Sequence, residues 1–345
     1  MFNINNIVRE NIKVLTPYSS ARDEFKGNEG VFLDANENPF NNPYNRYPDP
    51  LQREVKEKLA SIKGVRPEQI FFGNGSDEAI DLLMRAFCEP HRDNIISIHP
   101  SYGMYQVAAD INAVEFVKVP LNEDFTLNAG AIRSAVNANT KLIMLCSPNN
   151  PTANSFSLNE MLTLADGFDG LLVVDEAYID FSALPSLVSE LDNHPNLVIL
   201  QTFSKAWGLA GLRMGIAYAS EEIISILNKI KYPYNVNIMT QKLVLDALED
   251  VDEKEEWVKE ILGQRQFLIE AFQNMPLIQK IYPTDANFIL VKVPDAKAAY
   301  DHLIEQKIII RDRSKVAMCE GCLRITVGTE TENKALIKAL KKFDK

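Results

Sequence analysis

Long apolar runs, basic charge and cysteine are all scarce in this chain, and each scarcity excludes a class of protein. No stretch of about eighteen apolar residues occurs, so the sequence predicts no membrane-spanning helix. The first residues, MFNINNIVRE, lack the basic start and apolar stretch of a signal peptide. Lysine and arginine number 36 against 47 aspartates and glutamates, a net charge of -11, which argues against a nucleic-acid-binding surface.

Only four cysteines are present, and three lie in or beside apolar runs, where a free cysteine acts as a small hydrophobic residue. Cys319 and Cys322 form a single C-x-x-C pair. A zinc site would need a second ligand pair at suitable spacing, and no histidine is placed to provide it. The sequence therefore predicts no metal site. Scattered free cysteines indicate a reducing compartment, and we expect the protein in the cytoplasm.

Two nucleotide-binding signatures are incomplete. Asp175 and Glu176 would suit a Walker B pair, but the chain has no G-x-x-x-x-G-K-[ST] loop. Gly73 and Gly75 could begin a G-x-G-x-x-G dinucleotide fingerprint, but the third glycine position holds Glu78. Nucleotide hydrolysis and nicotinamide-dependent dehydrogenation are both disfavoured.

Short apolar runs alternate with amphipathic stretches over residues 69–218. Several runs are continuous, as in strands that are covered on both faces. This alternation predicts an α/β fold with a mostly parallel central sheet flanked by helices. Two later strand-like runs predict a smaller C-terminal α/β domain. We expect an N-terminal arm over residues 1–30, a large domain over 31–236 and a small domain over 237–345.

The segment TFSKAWGLAGLR contains the candidate nucleophile, Lys205, directly after a buried-looking strand. An amine in a partly desolvated pocket has a lowered pKa and can attack an aldehyde. Thr202 and Ser204 stand beside it, and Arg213 could return to the same pocket as a phosphate clamp. The alternative is a plain loop with a surface lysine.

Asp175 ends the apolar run LLVVD, and ligands of open α/β sheets bind at the carboxyl ends of strands. A carboxylate there can hold a pyridinium nitrogen protonated, which keeps the ring an electron sink. Tyr178, three residues further on, can donate a hydrogen bond to a phenolic oxygen of such a ring.

Three further turns follow predicted strands. Gly75 permits a sharp turn, after which Ser76 and Asp77 open a helix whose free N–H groups face an anion. Asn150 lies in the rigid turn SPNNPT, and Tyr102 in HPSYGMY could stack on a flat ring. Taken alone, each of these could be an ordinary turn or a core aromatic. Their joint order predicts that all converge on one edge of one sheet.

In order and wording, these motifs resemble the fold-type I pyridoxal-phosphate (PLP) aminotransferases of the class II aminotransferase family, over nearly the whole chain. The motifs that carry the resemblance are LTPYSSAR, LDANENPF, NRYPDP, GNGSDE, SPNNPT, DEAY, SKAWGLAGLR and CLRITVGT. The resemblance implies a PLP cofactor, with Lys205 bound to it covalently and later moving a proton. The implied cofactor-binding set is Gly75, Ser76, Asp77, Tyr102, Asn150, Asp175, Tyr178, Thr202, Ser204, Lys205 and Arg213.

The resemblance also implies a homodimer, in which Tyr47 reaches the phosphate of the partner subunit's cofactor. Arg324, Arg311 and Tyr18 would bind the anionic ends of substrates. One departure is visible: many relatives have glycine after SPNNPT, whereas this chain has Ala153, and alanine resists positive φ.

The implied reaction transfers the amino group of L-histidinol phosphate to 2-oxoglutarate, giving imidazole acetol phosphate and L-glutamate, as in histidine biosynthesis. An aromatic amino acid aminotransferase, or a PLP-dependent decarboxylase of a phosphorylated amino acid, would share every cofactor residue. Both alternatives remain open at the level of sequence.

Overall fold

Two β-sheets organise the protein, whose computed structural model describes residues 2–18 and 30–343. The large sheet has seven strands: β1 (Ile70–Asn74), β2 (Asn94–His99), β3 (Glu115–Pro120), β4 (Thr140–Cys146), β5 (Leu171–Asp175), β6 (Leu197–Thr202) and β7 (Met214–Ala219). The small sheet has four: β8 (Lys280–Ile281), β9 (Phe288–Lys292), β10 (Arg311–Asp312) and β11 (Cys322–Thr326). The predicted α/β class is confirmed.

Strand order in the large sheet is β1-β7-β6-β5-β4-β2-β3. Strands β2 to β6 pair in parallel, and β7 runs antiparallel to both of its neighbours. Strands β4 to β7 are buried along almost their whole length, which explains their continuous apolar sequences. The sheet is therefore mostly parallel, as predicted, with one reversed strand.

Helices cover both faces of the large sheet and one face of the small one. They are α1 (Glu10–Lys13), α2 (Arg53–Lys63), α3 (Ser76–Phe87), α4 (Met104–Ile111), α5 (Ala129–Ala135), α6 (Leu158–Ala165), α7 (Glu221–Ile230), α8 (Ile238–Ala247), α9 (Val251–Gln273), α10 (Ala296–Glu305) and α11 (Glu330–Phe343). Residues 238–273 form two helices rather than one, because α8 ends at Ala247 and the Asp250 side chain caps the start of α9. Within the described ranges, no helix is long and apolar enough to cross a membrane.

The small sheet connects two cores. Its strands are all antiparallel, in the order β10-β11-β9-β8. Ile289, Leu323 and Ile325 face a core that the sheet forms with α9, α10 and α11. On the opposite face, Leu290 and Cys322 join the core of the large sheet. One face of the small sheet thereby packs into the core of the large sheet.

The predicted N-terminal arm lies partly outside the described residues, which omit 19–29. In the part that is described, Ile4, Ile7 and Val8 are buried in the core on one face of the large sheet. Arg9 forms an ion pair with Glu89 at 3.1 Å. The first turn of the chain is thus fixed to the large sheet.

Candidate active site

One cavity opens at the carboxyl ends of β4, β5 and β6 and at the start of α3. Its lining is Gly75, Ser76, Asp77, Tyr102, Cys146, Asn150, Asp175, Ala177, Tyr178, Thr202, Ser204, Lys205, Ala210 and Arg213. The structure therefore brings together eleven of the twelve residues that were predicted to bind a cofactor, and the twelfth, Tyr47, lies outside this lining. Parallel strands explain this convergence, since their carboxyl ends share one edge of the sheet.

Lys205 lies in the turn after β6 and is half-buried. Its Nζ is 5.6 Å from the centroid of the Tyr178 ring. Burial lowers the pKa of Lys205, and the nearby Arg324 guanidinium lowers it further, while Asp175 acts in the opposite direction. A neutral amine, which is the nucleophilic form, is therefore easier to reach than on an exposed lysine.

Asp175 is the last residue of β5 and is 3% exposed. The Ala177 N–H donates to Oδ1 at 3.0 Å, and the Tyr105 hydroxyl donates to Oδ2 at 2.8 Å. Burial raises the pKa of this carboxyl to about 6, although both hydrogen bonds favour the charged form. No arginine or lysine among the described residues forms an ion pair with it. A buried carboxylate without a cation is therefore directed at the cavity.

Tyr105, which is fully buried on α4, was not predicted from the sequence. The signal was its position three residues after Tyr102, at the point where α4 begins. The centroids of the two rings are 5.5 Å apart in an edge-to-face arrangement. Tyr102 lines the cavity and also donates to Asp77 Oδ1 at 3.2 Å.

The opposite end of the cavity is suited to an anion. Gly75, with φ 79°, precedes the first turn of α3, and a Cβ there would lie 2.7 Å from Arg213 Nη2. The guanidinium of Arg213 thus lies directly over the N-terminus of the helix, 3.7 Å from Asp77 Oδ2. The free N–H groups of a helix N-terminus together with an arginine form a phosphate site.

Asn150 connects the cavity to the small sheet. Its Nδ2 donates to the Tyr178 hydroxyl at 3.4 Å, and its Oδ1 accepts from Arg324 Nη1 at 2.5 Å. Arg324 lies on β11 opposite Arg311 on β10, so both predicted substrate arginines are on strands of the small sheet. Arg311 is exposed and Arg324 is half-buried.

Four of the predicted residues do not line the cavity: Arg311 and Arg324 on the small sheet, and Tyr18 and Tyr47. Tyr18 is 71% exposed and Tyr47 is 48% exposed, and neither lines the cavity. The Tyr47 ring stacks on Tyr234, with centroids 4.4 Å apart.

Ala153 keeps a backbone conformation typical of glycine, with φ 71°. Its N–H donates to the Asn149 carbonyl at 2.7 Å, and its own carbonyl accepts from the Asp285 N–H at 2.8 Å. The methyl group is buried in a small cluster with Tyr178 and Phe288. The alanine therefore adopts the positive φ itself, and its buried methyl offsets part of the cost of that conformation.

The chain belongs to the class I and II aminotransferase family and is an aminotransferase. The profile of that family, described as aminotransferase class I and II, matches residues 31–340. Residues 31–340 include both sheets and every residue that lines the cavity.

Curated relatives within the family share a narrower description, histidinol-phosphate aminotransferase. One from Cytophaga hutchinsonii is 55% identical over 346 residues, covering 99% of this chain and 99% of the relative. One from Bacteroides fragilis is 54% identical over 344 residues, covering 99% and 100%. Of the solved structures, the histidinol-phosphate aminotransferase of Sinorhizobium meliloti in complex with pyridoxal-5'-phosphate has a TM-score of 0.79 and 26% identity, covering 87% of this chain and 83% of that one. That of Clostridium acetobutylicum has a TM-score of 0.81 at 24% identity, covering 87% and 91%.

Proposed function

We propose that this chain is a pyridoxal-phosphate-dependent transaminase that takes the amino group of L-histidinol phosphate and gives it to 2-oxoglutarate. One observation carries the proposal: a half-buried lysine with a lowered pKa shares one cavity with a buried, cation-free carboxylate and an anion-binding helix N-terminus. Relatives of the same description, at 53% identity or more over 99% of the chain, support the substrate.

The residues present fit the cofactor at both ends of the cavity. Asp175 is a buried anion that lacks a cation, and a protonated pyridine nitrogen would provide one. Gly75 and Gly215 keep the phosphate end open, because a Cβ at Gly215 would lie 2.0 Å from the Ser76 backbone nitrogen. Ser76, Asp77, Thr202, Ser204 and Arg213 would hold the phosphate through N–H, hydroxyl and guanidinium groups.

When bound, pyridoxal phosphate supplies an aldehyde and an electron-withdrawing ring that stabilises negative charge on the substrate carbon. Lys205 would hold the cofactor in the resting enzyme. Once the amine of the donor has displaced it, the freed Nζ would take the α-proton of the donor as a general base. Asp175 would keep the ring nitrogen protonated. Asn150 and Tyr178 would hydrogen-bond the ring oxygen, and the Tyr102 ring would stack on the cofactor face.

Substrate anions are assigned to the small sheet. Arg324 reaches the cavity through Asn150, and a guanidinium fork can bind a carboxylate or a phosphate with two hydrogen bonds. Arg311 stands beside Arg324 across the β10–β11 ladder. We assign both, with Tyr18, to substrate binding.

A homodimer with shared active sites accounts for Tyr47 and Tyr18, which lie outside their own cavity. Val31, Leu33 and Phe40 in the neighbouring segment are each at least three-quarters exposed. Exposed apolar groups of this size are typical of an interface. In this proposal residues 31–236 form the large domain and 237–345 the small one, and the enzyme works in the cytoplasm.

The test compares kcat/KM for histidinol phosphate, unphosphorylated histidinol and phenylalanine. Loss of the phosphate should leave the half-buried Arg324 without its anion and lower kcat/KM by roughly a hundredfold or more. An aromatic aminotransferase would instead use phenylalanine at comparable efficiency, and a decarboxylase would release carbon dioxide from a phosphorylated amino acid. Either result would replace the substrate assignment and leave the cofactor assignment intact.

A further inference from the structure

Three arginines share one face of the small sheet, and only two of them were predicted from the sequence. Arg311 on β10 is opposite Arg324 on β11. The N–H of Arg313 donates to the Cys322 carbonyl at 2.8 Å, which continues the same antiparallel ladder one residue beyond β10. Alternate residues of a strand point to the same side, so Arg311, Arg313 and Arg324 project from one face.

That face is turned towards the active-site cavity. Phe288 lies two register positions from the Leu290–Arg324 pair, on the same side of the sheet. Its ring packs edge-on against Tyr178 with centroids 5.1 Å apart, and the Arg324 Cζ lies 5.2 Å from the Phe288 ring centre. Tyr178 lines the cavity, and so does Asn150, which accepts a hydrogen bond from Arg324.

The arginine cluster lacks a counter-ion. Across residues 2–18 and 30–343, none of the three guanidinium groups forms an ion pair with an acidic side chain. The Nε atoms of Arg313 and Arg324 are shielded from solvent and have no hydrogen-bond partner. The adjacent Asp312 carboxylate accepts instead from the Ser314 N–H at 2.8 Å and the Ser314 hydroxyl at 2.6 Å.

Burial and then charge repulsion between these guanidinium groups lower the pKa of Arg313 and of Arg324. Burial lowers the pKa of Arg313, with repulsion from Arg311 as the next cause, and burial followed by repulsion from Arg313 lowers the pKa of Arg324. Leaving half-buried cations unpaired is costly, and a ligand anion that completes the site would remove this cost.

We propose that Arg313 is a specificity-determining residue which, together with Arg324, binds the phosphate dianion of the amino donor. This inference rests on the proposed function. A carboxylate bound at the same place carries one negative charge, and Arg324 alone matches it. A phosphate monoester carries close to two charges at neutral pH and three acceptor oxygens, so it needs the second guanidinium. Arg313 therefore separates a phosphorylated donor from a carboxylate donor.

The experiment uses the holoenzyme and two separate half-reactions. Wild type, Arg313→Gln, Arg313→Lys and the control Arg66→Gln are mixed with histidinol phosphate or with glutamate, and conversion of the cofactor is followed by absorbance. Arg66 is a matched control because it is an exposed arginine paired with Asp192, far from the cavity lining.

We expect Arg313→Gln to lower kcat/KM for histidinol phosphate by roughly ten- to a hundredfold, mainly through KM, and to change the glutamate reaction by less than about threefold. Arg313→Lys should recover part of the loss, because it restores the charge without the planar fork. The inhibition constant of inorganic phosphate should rise in parallel.

Equal losses for both amines, or no loss for either, would overturn the assignment of Arg313. Melting temperature and cofactor absorbance identify a variant that fails to fold, and in that case Arg313→Lys decides the question. If the wild-type enzyme does not prefer histidinol phosphate, the proposed function itself fails before the variants are compared.

Discussion

Tyr105 and Asp175 form a fully buried donor–acceptor pair, with the tyrosine hydroxyl 2.8 Å from carboxylate Oδ2. Without this bond the carboxylate would depend on the Ala177 N–H alone. Asp175 must remain charged to pair with a ring nitrogen, while burial favours its neutral form. The hydrogen bond from Tyr105 therefore lowers the pKa of Asp175, whereas burial at the end of β5 raises it.

Replacing Tyr105 with phenylalanine should raise the pKa of Asp175. A hydrogen bond to a charged group contributes about 1.5–3 kcal/mol, equivalent to about one to two pKa units. Because the charged carboxylate is the active form, the acid limb of the kcat profile should move to higher pH, and kcat should fall about tenfold or more. Tyr218→Phe is the control, since its hydroxyl is equally buried but lies outside the cavity lining. Matching pH profiles for Tyr105→Phe and wild type would show that the bond has no such role.

Asp175→Asn should stabilise the cofactor-free protein while removing activity. The folded-state pKa of about 6 lies above the ordinary value of 3.8, so the folded state holds the extra proton between these limits. The free energy of unfolding should therefore decline as pH rises through this window, by about 3 kcal/mol in total. The asparagine variant should lack this decline.

Urea unfolding of the cofactor-free protein and its variant at pH 4.5 and pH 7.5 measures the effect. Transamination by the loaded Asp175→Asn variant should fall by about a hundredfold or more, with covalent cofactor binding retained. An unchanged pH dependence of stability, or near-normal turnover, would contradict the assignment of Asp175.

Lys205→Ala should abolish transamination and leave the fold intact. Within residues 2–18 and 30–343, the Lys205 Nζ forms no hydrogen bond or ion pair and lies 5.6 Å from the centre of the Tyr178 ring. Lys205→Arg should not restore activity, since a guanidinium stays protonated and cannot act as the nucleophile. Single-turnover assays and circular dichroism check the two halves of the prediction. Substantial turnover by the alanine variant would remove Lys205 from the mechanism.

Mixing Tyr47→Ala with Lys205→Ala subunits should restore activity that neither variant shows alone. If the partner's tyrosine completes each site, every heterodimer holds one intact site, and random mixing should give roughly a quarter of wild-type activity. Asp175→Asn mixed with Lys205→Ala is the control, because both changes lie in the cavity of one chain and no intact site can form. An active monomer in sedimentation experiments would refute the shared site.

The positions that the sequence predicted well depend on local order along the chain. Lys205 and Asp175 each follow a continuous apolar strand, and the end of a buried parallel strand is a strong guide to where a side chain will lie. Gly64, with φ 69°, ends α2 in the left-handed conformation that glycine favours at this position. These positions can be predicted from neighbouring residues, without knowing which distant segments they contact.

Features set by distant contacts were missed. The reversal of β7 depends on its pairing with β1, about 140 residues away in sequence, and no local pattern encodes it. From sequence alone Tyr105 is indistinguishable from a core aromatic residue. Its role becomes visible only when α4 lies against β5 and the hydroxyl meets Asp175. Arg313 reads as a surface charge until the β10–β11 register sets it beside Arg324. In each case the role of the residue depends on a contact with a segment that is distant in sequence.

The groups assigned to the cofactor and those assigned to the substrate come from different sheets, and this separation has a consequence for evolution. The groups assigned to the cofactor come from the large sheet, whereas the arginines assigned to substrate come from β10 and β11. Substitutions on the short β10 ladder can therefore alter which amine is accepted without disturbing the reaction chemistry. A library randomised at Arg311 and Arg313 alone is a compact starting point for new amine selectivities on this scaffold.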